Sequence, residues 1–436
     1  MKLNWSRNRL LSALGMSAWL VCQALPAEEK TDPQEQIRQL QEMVRQQGER
    51  LAALEAMLAS QQQAMTTLAQ QQATVAAAVQ SRPEAKGVLP VVLGKGTDQL
   101  RLTGDFRLRY EAQSREGSGV SGKERDRFLP RLRVGLVWTS SDWEVGAGVA
   151  TGGIGATGTN DTWGDTSPFQ TDDLRLDYAY AHRKWGDFGL VIGQQKNPFL
   201  GTLAVWDSDV RPTGITGQYQ AGPWFVTAGA YNVRHYGWDE GNANLGAIQT
   251  GLQGTHGNLS GKIAFAWYQF NHATIDPNNA TTKSNQPTLA VANDDYDLTL
   301  GSVYAEGSYK GDGWKGTLYG EYTRNFAADG TVGQVKNCVP GDNDTAWVLG
   351  ASLAIRKVGF DYAYAHIEAD SVYGQINDAT FGGPLGTTDV EGHVFGVSYA
   401  LTDRLKLTAQ AYLMDPIERT DRKDGRVFLA DATWKF

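Results

Sequence analysis

From Leu100 onward, apolar and polar residues alternate with a period of two, in segments of about ten residues broken by turn formers, the imprint of pleated strands. The stretch Arg426–Phe436 sets Phe428, Ala430, Ala432, Trp434 and Phe436 on one face and Leu429, Asp431, Thr433 and Lys435 on the other. Stopping on an aromatic residue in mid-pattern predicts a barrel-closing strand whose Trp434 and Phe436 meet lipid. Strands are expected near 100–110, 127–139, 143–152, 172–182, 188–195, 215–220, 224–234, 244–253, 259–270, 296–309, 314–326, 345–356, 358–369, 390–400, 405–413 and 426–436. They number about sixteen, and the count is even. Tight connections such as Ser140-Ser141-Asp142, Gly311-Asp312-Gly313 and Arg356-Lys357 alternate with long ones at 111–125, 153–171, 196–214, 271–295, 327–344, 370–389 and 414–425. A soluble sandwich has no reason to segregate short turns from long loops; an all-β transmembrane barrel, with antiparallel strands and a tight periplasmic rim, does.

The pleat also assigns faces. On the first strand Leu100, Leu102, Phe106, Leu108 and Tyr110 oppose Arg101, Thr103, Asp105, Arg107 and Arg109; on the second, Phe128, Leu132, Val134, Leu136 and Trp138 oppose Arg127, Arg131 and Arg133. An arginine on the lipid side at the bilayer midplane costs about 2–4 kcal/mol, so these side chains are expected in the lumen, joined by Arg175 beside Asp177. A planar fork that stays charged suits carboxylate or phosphate passage, but it suits structural ion pairs with neighbouring strands or an infolded loop equally well. The third long loop carries Pro198, Phe199, Trp206, Asp207, Asp209 and Arg211, and its apolar residues would be wasted in bulk water. Folded into the lumen, it would set Asp207 and Asp209 across from the arginines and constrict the passage. Two carboxylates are too few to argue for a calcium site.

Ahead of the strands the period changes to that of a heptad. Ile37, Leu40, Val44, Leu51, Leu54, Leu58, Met65 and Leu68 continue to Val75 and Val79, with Gln47, Gln61 and Gln72 completing two seam positions over about six repeats. So narrow a stripe cannot stabilise a lone helix in water, which predicts an α-helical coiled coil, three-stranded in preference to two, about 65 Å long. Residues 1–27 carry Lys2, Arg7 and Arg9, an apolar run and small residues at Ala24 and Ala27, the pattern of a secretory signal. Val21 before Cys22 does not fit a lipid-modification box, which leaves Cys338 alone after cleavage. The expected organisation is signal peptide 1–27, coiled-coil oligomerisation segment 28–80, linker 81–98 and barrel 99–436.

Composition narrows the functional classes. The 436 residues are 41% hydrophobic and 20% charged, with mean hydropathy −0.39, too polar for a bundle of membrane helices. Net charge −8 argues against a nucleic-acid surface. The six histidines, His182, His235, His256, His272, His366 and His393, fall in no metal-binding spacing, no Gly-x-Ser-x-Gly elbow occurs, and Gly152-Gly153-Ile154-Gly155 precedes no helix. No enzyme, metal or cofactor is expected.

The signal, the heptad segment, the arginine-rich opening strands, the Gly193–Arg211 stretch with Asn197-Pro198-Phe199 and Trp206-Asp207-Ser208-Asp209, and Phe436 together resemble the porins of Gram-negative bacteria that carry a periplasmic coiled coil before the barrel. That resemblance implies passive passage of small solutes or ions through homotrimers in the outer membrane, with the rod in the periplasm. The expected partners are outer-membrane lipid, small solutes, the barrel-assembly machinery through the last strand, and peptidoglycan through the rod; no nucleic acid is among them. The alternative is a structural anchor or cell-wall tether whose coiled coil is the functional part.

Overall fold

The computed structural model describes residues 45, 99–117, 124–153, 155–171, 173–235, 242–272, 298–328, 343–418 and 422–436. The expected signal, the linker, Cys22, Cys338 and the heptad segment with its seam from Ile37 to Leu68 lie outside the described residues; Arg45 is an exposed helical residue.

Sixteen strands follow one another along the chain: β1 (Gln99–Gly117), β2 (Glu124–Ser140), β3 (Trp143–Thr151), β4 (Leu174–Trp185), β5 (Phe188–Gln194) and β6 (Thr213–Ala221) come first. Next are β7 (Trp224–His235), β8 (Asn242–His256), β9 (Leu259–Asn271), β10 (Leu298–Gly311) and β11 (Trp314–Asn325). The last are β12 (Thr345–Ile355), β13 (Val358–Ile367), β14 (Val390–Ala400), β15 (Leu405–Pro416) and β16 (Arg422–Lys435). Each pairs antiparallel with the next, and β1 pairs with β16, so the sheet is a closed barrel, the fold class the alternation predicts.

Closure is carried by register. Phe106 lies opposite Trp434 on one side and Leu132 on the other, and Arg107 lies opposite Thr433 and Arg131, so neighbouring strands keep apolar residues outward and arginines inward. Phe436 extends the ladder by one step: its amide donates to the Gly104 carbonyl and the Gly104 amide donates back, both at 3.0 Å. Five of the tight turns have a left-handed first residue, Ser141, Gly186, Gly222, Gly257 and Arg356, and in Asp312-Gly313 the second is left-handed, the geometry that two-residue hairpins need. These turns share one rim. Trp143, Trp185, Phe188, Tyr219, Trp224 and Trp314 ring that rim on the outside, where Arg183 sits 5.1 Å from the Trp143 ring and 4.9 Å from that of Trp185 while its Nε donates to Asp142. Between the rims the outer face shows Leu136, Phe265, Leu318 and Leu349.

The inner face is divided. One part, on β1, β2, β4 and β16, is charged. The other, mainly on β7 to β10 and β12 to β16, is apolar, with Leu245, Ala266, Tyr268, Phe270, Leu300, Val348, Ala365 and Ile367 all buried. Water does not cover that surface, because two long connections fold inward onto it: loop 3 (195–212) brings Phe199, Val205, Trp206 and Val210, and loop 7 (368–389) brings Val372, Tyr373, Phe381 and Leu385. The hydrophobic core of this protein therefore lies inside the barrel. Tyr268, fully buried, meets Phe199 and Trp206 edge-on at centroid separations of 5.5 and 5.8 Å.

Gly104 allows the closing contact to form. A Cβ there would come within 2.5 Å of both the Phe436 ring and the Arg133 carbonyl. Gly104→Val is expected to cost about 1–3 kcal/mol through overpacking of the β1–β16 seam. Heat-modifiability on gels will read this as unfolding at a lower temperature than the parent protein.

Candidate functional site

The charged part of the wall follows directly from strand register. Arg109, opposite Asp431 across the β1–β16 seam, grips it with Nε at 2.7 Å and a second nitrogen at 2.8 Å. Arg127 bonds Glu111 at 2.7 Å, and Arg131 reaches diagonally to Asp105 through two nitrogens at 3.0 and 2.7 Å. Arg107 bonds the Asn160 side chain and lies 3.9 Å from Asp431. Arg175 donates to the carbonyls of Gly153, Gly155 and Gly158, which holds loop 2 (152–173) against the barrel. The same loop continues the sheet above the end of β3, the amides of Asp161 and Trp163 donating to Pro130 and Phe128. Arg101 is exposed and has no ion pair among the described residues.

A register shift of β4 against β3 leaves Asp177 as an extra residue between Leu176 and Tyr178, and so turns its carboxylate inward. It stands 3.3 Å from Arg211 and 4.0 Å from Arg133, and Arg133 in turn donates to Asp209 at 2.5 Å. Thr159 donates to the second Asp209 oxygen at 3.1 Å. The acidic end of loop 3 is thus in contact with the arginines through Asp209. Asp207 points the other way, buried, accepting from the amides of Asp209 at 2.7 Å and of Ala379 in loop 7 at 3.0 Å. Burial, with the Asp378 carboxyl nearby, pushes the Asp207 carboxyl up to about 7. Against its own burial, Asp209 is held below the usual carboxylate range by the Arg133 guanidinium.

Two side chains that sequence reasoning passed over fasten loop 3 to the wall. Gln249 pairs with the Leu200 backbone in both directions, at 2.8 and 2.7 Å, much as a neighbouring strand would. Glu321 accepts from the Thr202 amide at 2.6 Å, from its hydroxyl at 2.7 Å and from Ser302 at 2.7 Å. Of the residues singled out in that loop, Phe199 and Trp206 are stacked at 6.0 Å inside the core, Pro198 borders a cavity with His182 and Gln253, and Asp209 and Arg211 join the arginine cluster.

Space remains on both sides of this partition. Toward the tight-turn rim a cavity of about 1040 Å³ is bordered by Arg131, Arg133, Lys196, Asp207, Lys315 and Asp378. Toward the long loops one of about 230 Å³ is bordered by Arg175, Asp177, Arg211, Pro212, Asn232 and Ile376. Trp206, Asp209 and Arg211 border both. The arrangement is that of two chambers that share the paired charges Asp209 and Arg211 in their walls.

Residues 120–307 match the model of the family described as putative porin. No curated protein matches in sequence. Among solved structures, OprB of Pseudomonas putida in its high-pH form is similar with TM-score 0.52 and 13% identity, covering 77% of this chain and 94% of that one. OmpF of Salmonella typhi, solved in complex with daunomycin, is similar with TM-score 0.50 and 11% identity, over 78% and 98%. The outer membrane channel DcaP of Acinetobacter baumannii gives 0.47 and 14%, over 80% and 100%. At these identities the likeness is one of fold.

Glu321→Ala removes a charged acceptor of three bonds, and a loss on the order of 3 kcal/mol in the docking of loop 3 is expected. Limited proteolysis of the folded protein will detect it as new cleavage within 195–212, absent from the parent.

Proposed function

We propose that this chain, recognised over residues 120–307 as one of the putative porins, is a passive outer-membrane channel for small hydrophilic solutes or ions, with a preference for anions. The observation that carries the reading is a closed barrel, apolar outside, with two inner chambers that reach Arg131, Arg133, Arg175 and Arg211. Charge balance supports the preference. Six basic groups border the two chambers, Arg131, Arg133, Arg175, Lys196, Arg211 and Lys315, against five acidic ones, Asp177, Asp207, Asp209, Glu306 and Asp378. A modest positive surplus in a narrow, low-dielectric passage attracts anions without trapping them. The wall residues Arg107, Arg109, Arg127, Arg131, Arg133 and Arg175, with Arg101, are the proposed lining; Pro198, Phe199, Trp206, Asp207, Asp209 and Arg211 are the proposed constriction.

In this reading the heptad segment joins three copies and lies in the periplasm, within reach of peptidoglycan, and β16 with Trp434 and Phe436 is the segment offered to the barrel-assembly machinery. The amount of lumen occupied by loops 3 and 7 favours a second reading, an anchor for the coiled coil that conducts little.

Single-channel recording of purified protein in a planar bilayer under a KCl gradient separates the two. The channel reading expects steps in groups of three and a reversal potential of anion-selective sign. Arg133→Ala takes away one positive charge and leaves Asp209 uncompensated, so it is expected to move the reversal potential toward cations. Correctly folded trimers that stay silent would remove the channel reading and leave the anchor.

A further inference from the structure

Loop 7 offers a feature that the arginine wall and loop 3 do not explain. A connection of this length is ordinarily a solvated extracellular loop. Here Val372, Phe381 and Leu385 are almost without exposure, and Tyr373 packs on Phe270 with ring centroids 5.3 Å apart. Internal bonds give it one shape: the Asn377 side-chain amide donates to the Thr387 carbonyl at 2.6 Å, and the Thr387 hydroxyl donates to the Gly374 carbonyl at 2.6 Å. The Asp378 carboxylate accepts from the amides of Thr380 at 2.8 Å and Phe381 at 2.7 Å, a turn that seats the Phe381 ring in the core. Arg422 of β16 donates to the Pro384 carbonyl at 3.1 Å.

The tip of this loop is joined to loop 3, not merely to the wall. The Asp207 amide donates to Ile376 at 2.7 Å, the Asp378 amide donates to Leu203 at 3.1 Å, and the Ala379 amide closes on the Asp207 carboxylate. Two backbone bonds in opposite directions, and a third onto a side chain, join two loops about 170 residues apart in sequence. The same few residues of loop 7 reach open space. Ile376 borders the smaller chamber, and Asp378 borders the larger one together with Arg131 and Arg133.

Building on the channel reading, we infer that loop 7 is a second constriction element, and that the Asp207–Ala379 and Leu203–Asp378 junction sets the size of solute that passes. Loop 3 alone cannot define the opening, because on the side away from the arginines its exposed edge is covered by loop 7. With both loops in place, passage is confined to the charged strip where Trp206, Asp209 and Arg211 border both chambers. Releasing loop 7 opens the middle of the lumen while leaving that charged strip intact. The size limit therefore changes and the sign of the selectivity does not.

The test uses the full chain with Asp378→Ala, Asp207→Ala, the double variant, and a variant in which a short Gly-Ser link replaces residues 374–387. Each is checked for folding by heat-modifiability, then recorded in planar bilayers and in liposomes challenged with uncharged sugars of increasing size. The expected result is a single-channel conductance raised about twofold or more in Asp378→Ala and in the shortened loop, with entry of larger sugars and an unchanged sign of reversal potential. Because the Asp207 carboxylate makes the junction and the Asp378 carboxylate shapes the turn that presents the Ala379 amide to it, the double variant is expected to match the larger single effect and not their product. A silent parent with conducting variants would support the inference in its strongest form, loop 7 closing the pore. A conducting parent whose folded variants keep its conductance and size limit, or fall below them, overturns the role of loop 7 and leaves the channel reading standing. Silence from every folded variant overturns both.

Discussion

A backbone crossing a bilayer has no water to satisfy its amides and carbonyls, so every strand must find a partner on each side. That constraint explains why β1 must meet β16 and why Phe436 bonds Gly104 in both directions. Once the ring is closed, orientation follows: a residue that faces lipid on one strand is flanked by residues that face lipid on the next. The arginines of β1 and β2 have only the lumen left to them. Their concentration on neighbouring strands makes one side of that lumen strongly basic before any loop is placed.

A basic wall of this density would repel itself if left bare, and the structure answers with carboxylates at matched positions. Asp431 is directly opposite Arg109, Asp105 is diagonal to Arg131, and a bulge turns Asp177 toward Arg133 and Arg211. Loop 3 contributes the remaining acid, Asp209. Ion pairs in a low-dielectric setting add little stability in net terms, since desolvation offsets most of the Coulomb gain. Their consequence here is geometric: the forks are held in fixed orientations, and loop 2 and loop 3 are each held at a defined place on the wall.

The barrel was legible from alternation because a half-buried strand repeats every two residues whatever its partner is, and the same period put the arginines on the inner face. Loop 3 could be read as an infolded segment, since Phe199, Val205, Trp206 and Val210 have no place in bulk water. The identical signal is present in Val372, Tyr373, Phe381 and Leu385, yet along the chain loop 7 reads as an ordinary long connection. Its apolar residues are spaced irregularly between glycines, and no period singles them out. Gln249 and Glu321 were illegible for a different reason. Each is one polar residue on an inner face where polar residues are the rule, and only the three-dimensional fold shows that Leu200 and Thr202 are their partners. The site's partners are nonlocal, and a pattern read along the chain carries no information about which carboxylate faces which guanidinium.

The two inner surfaces divide the work between them. An apolar wall in a water-filled barrel would be as costly as an exposed core, so the loops that cover it are held by the hydrophobic effect as well as by their hydrogen bonds. A charged wall cannot be covered in that way, because burying seven guanidiniums behind a loop would require as many acceptors as the loop could offer. Loops 3 and 7 therefore collapse toward β7 to β10 and β12 to β16, and the larger chamber they leave runs from Arg131 and Arg133 across to β10, β11 and β12. Where the passage runs is decided by the asymmetry of the barrel's interior. The loops decide only how wide it is.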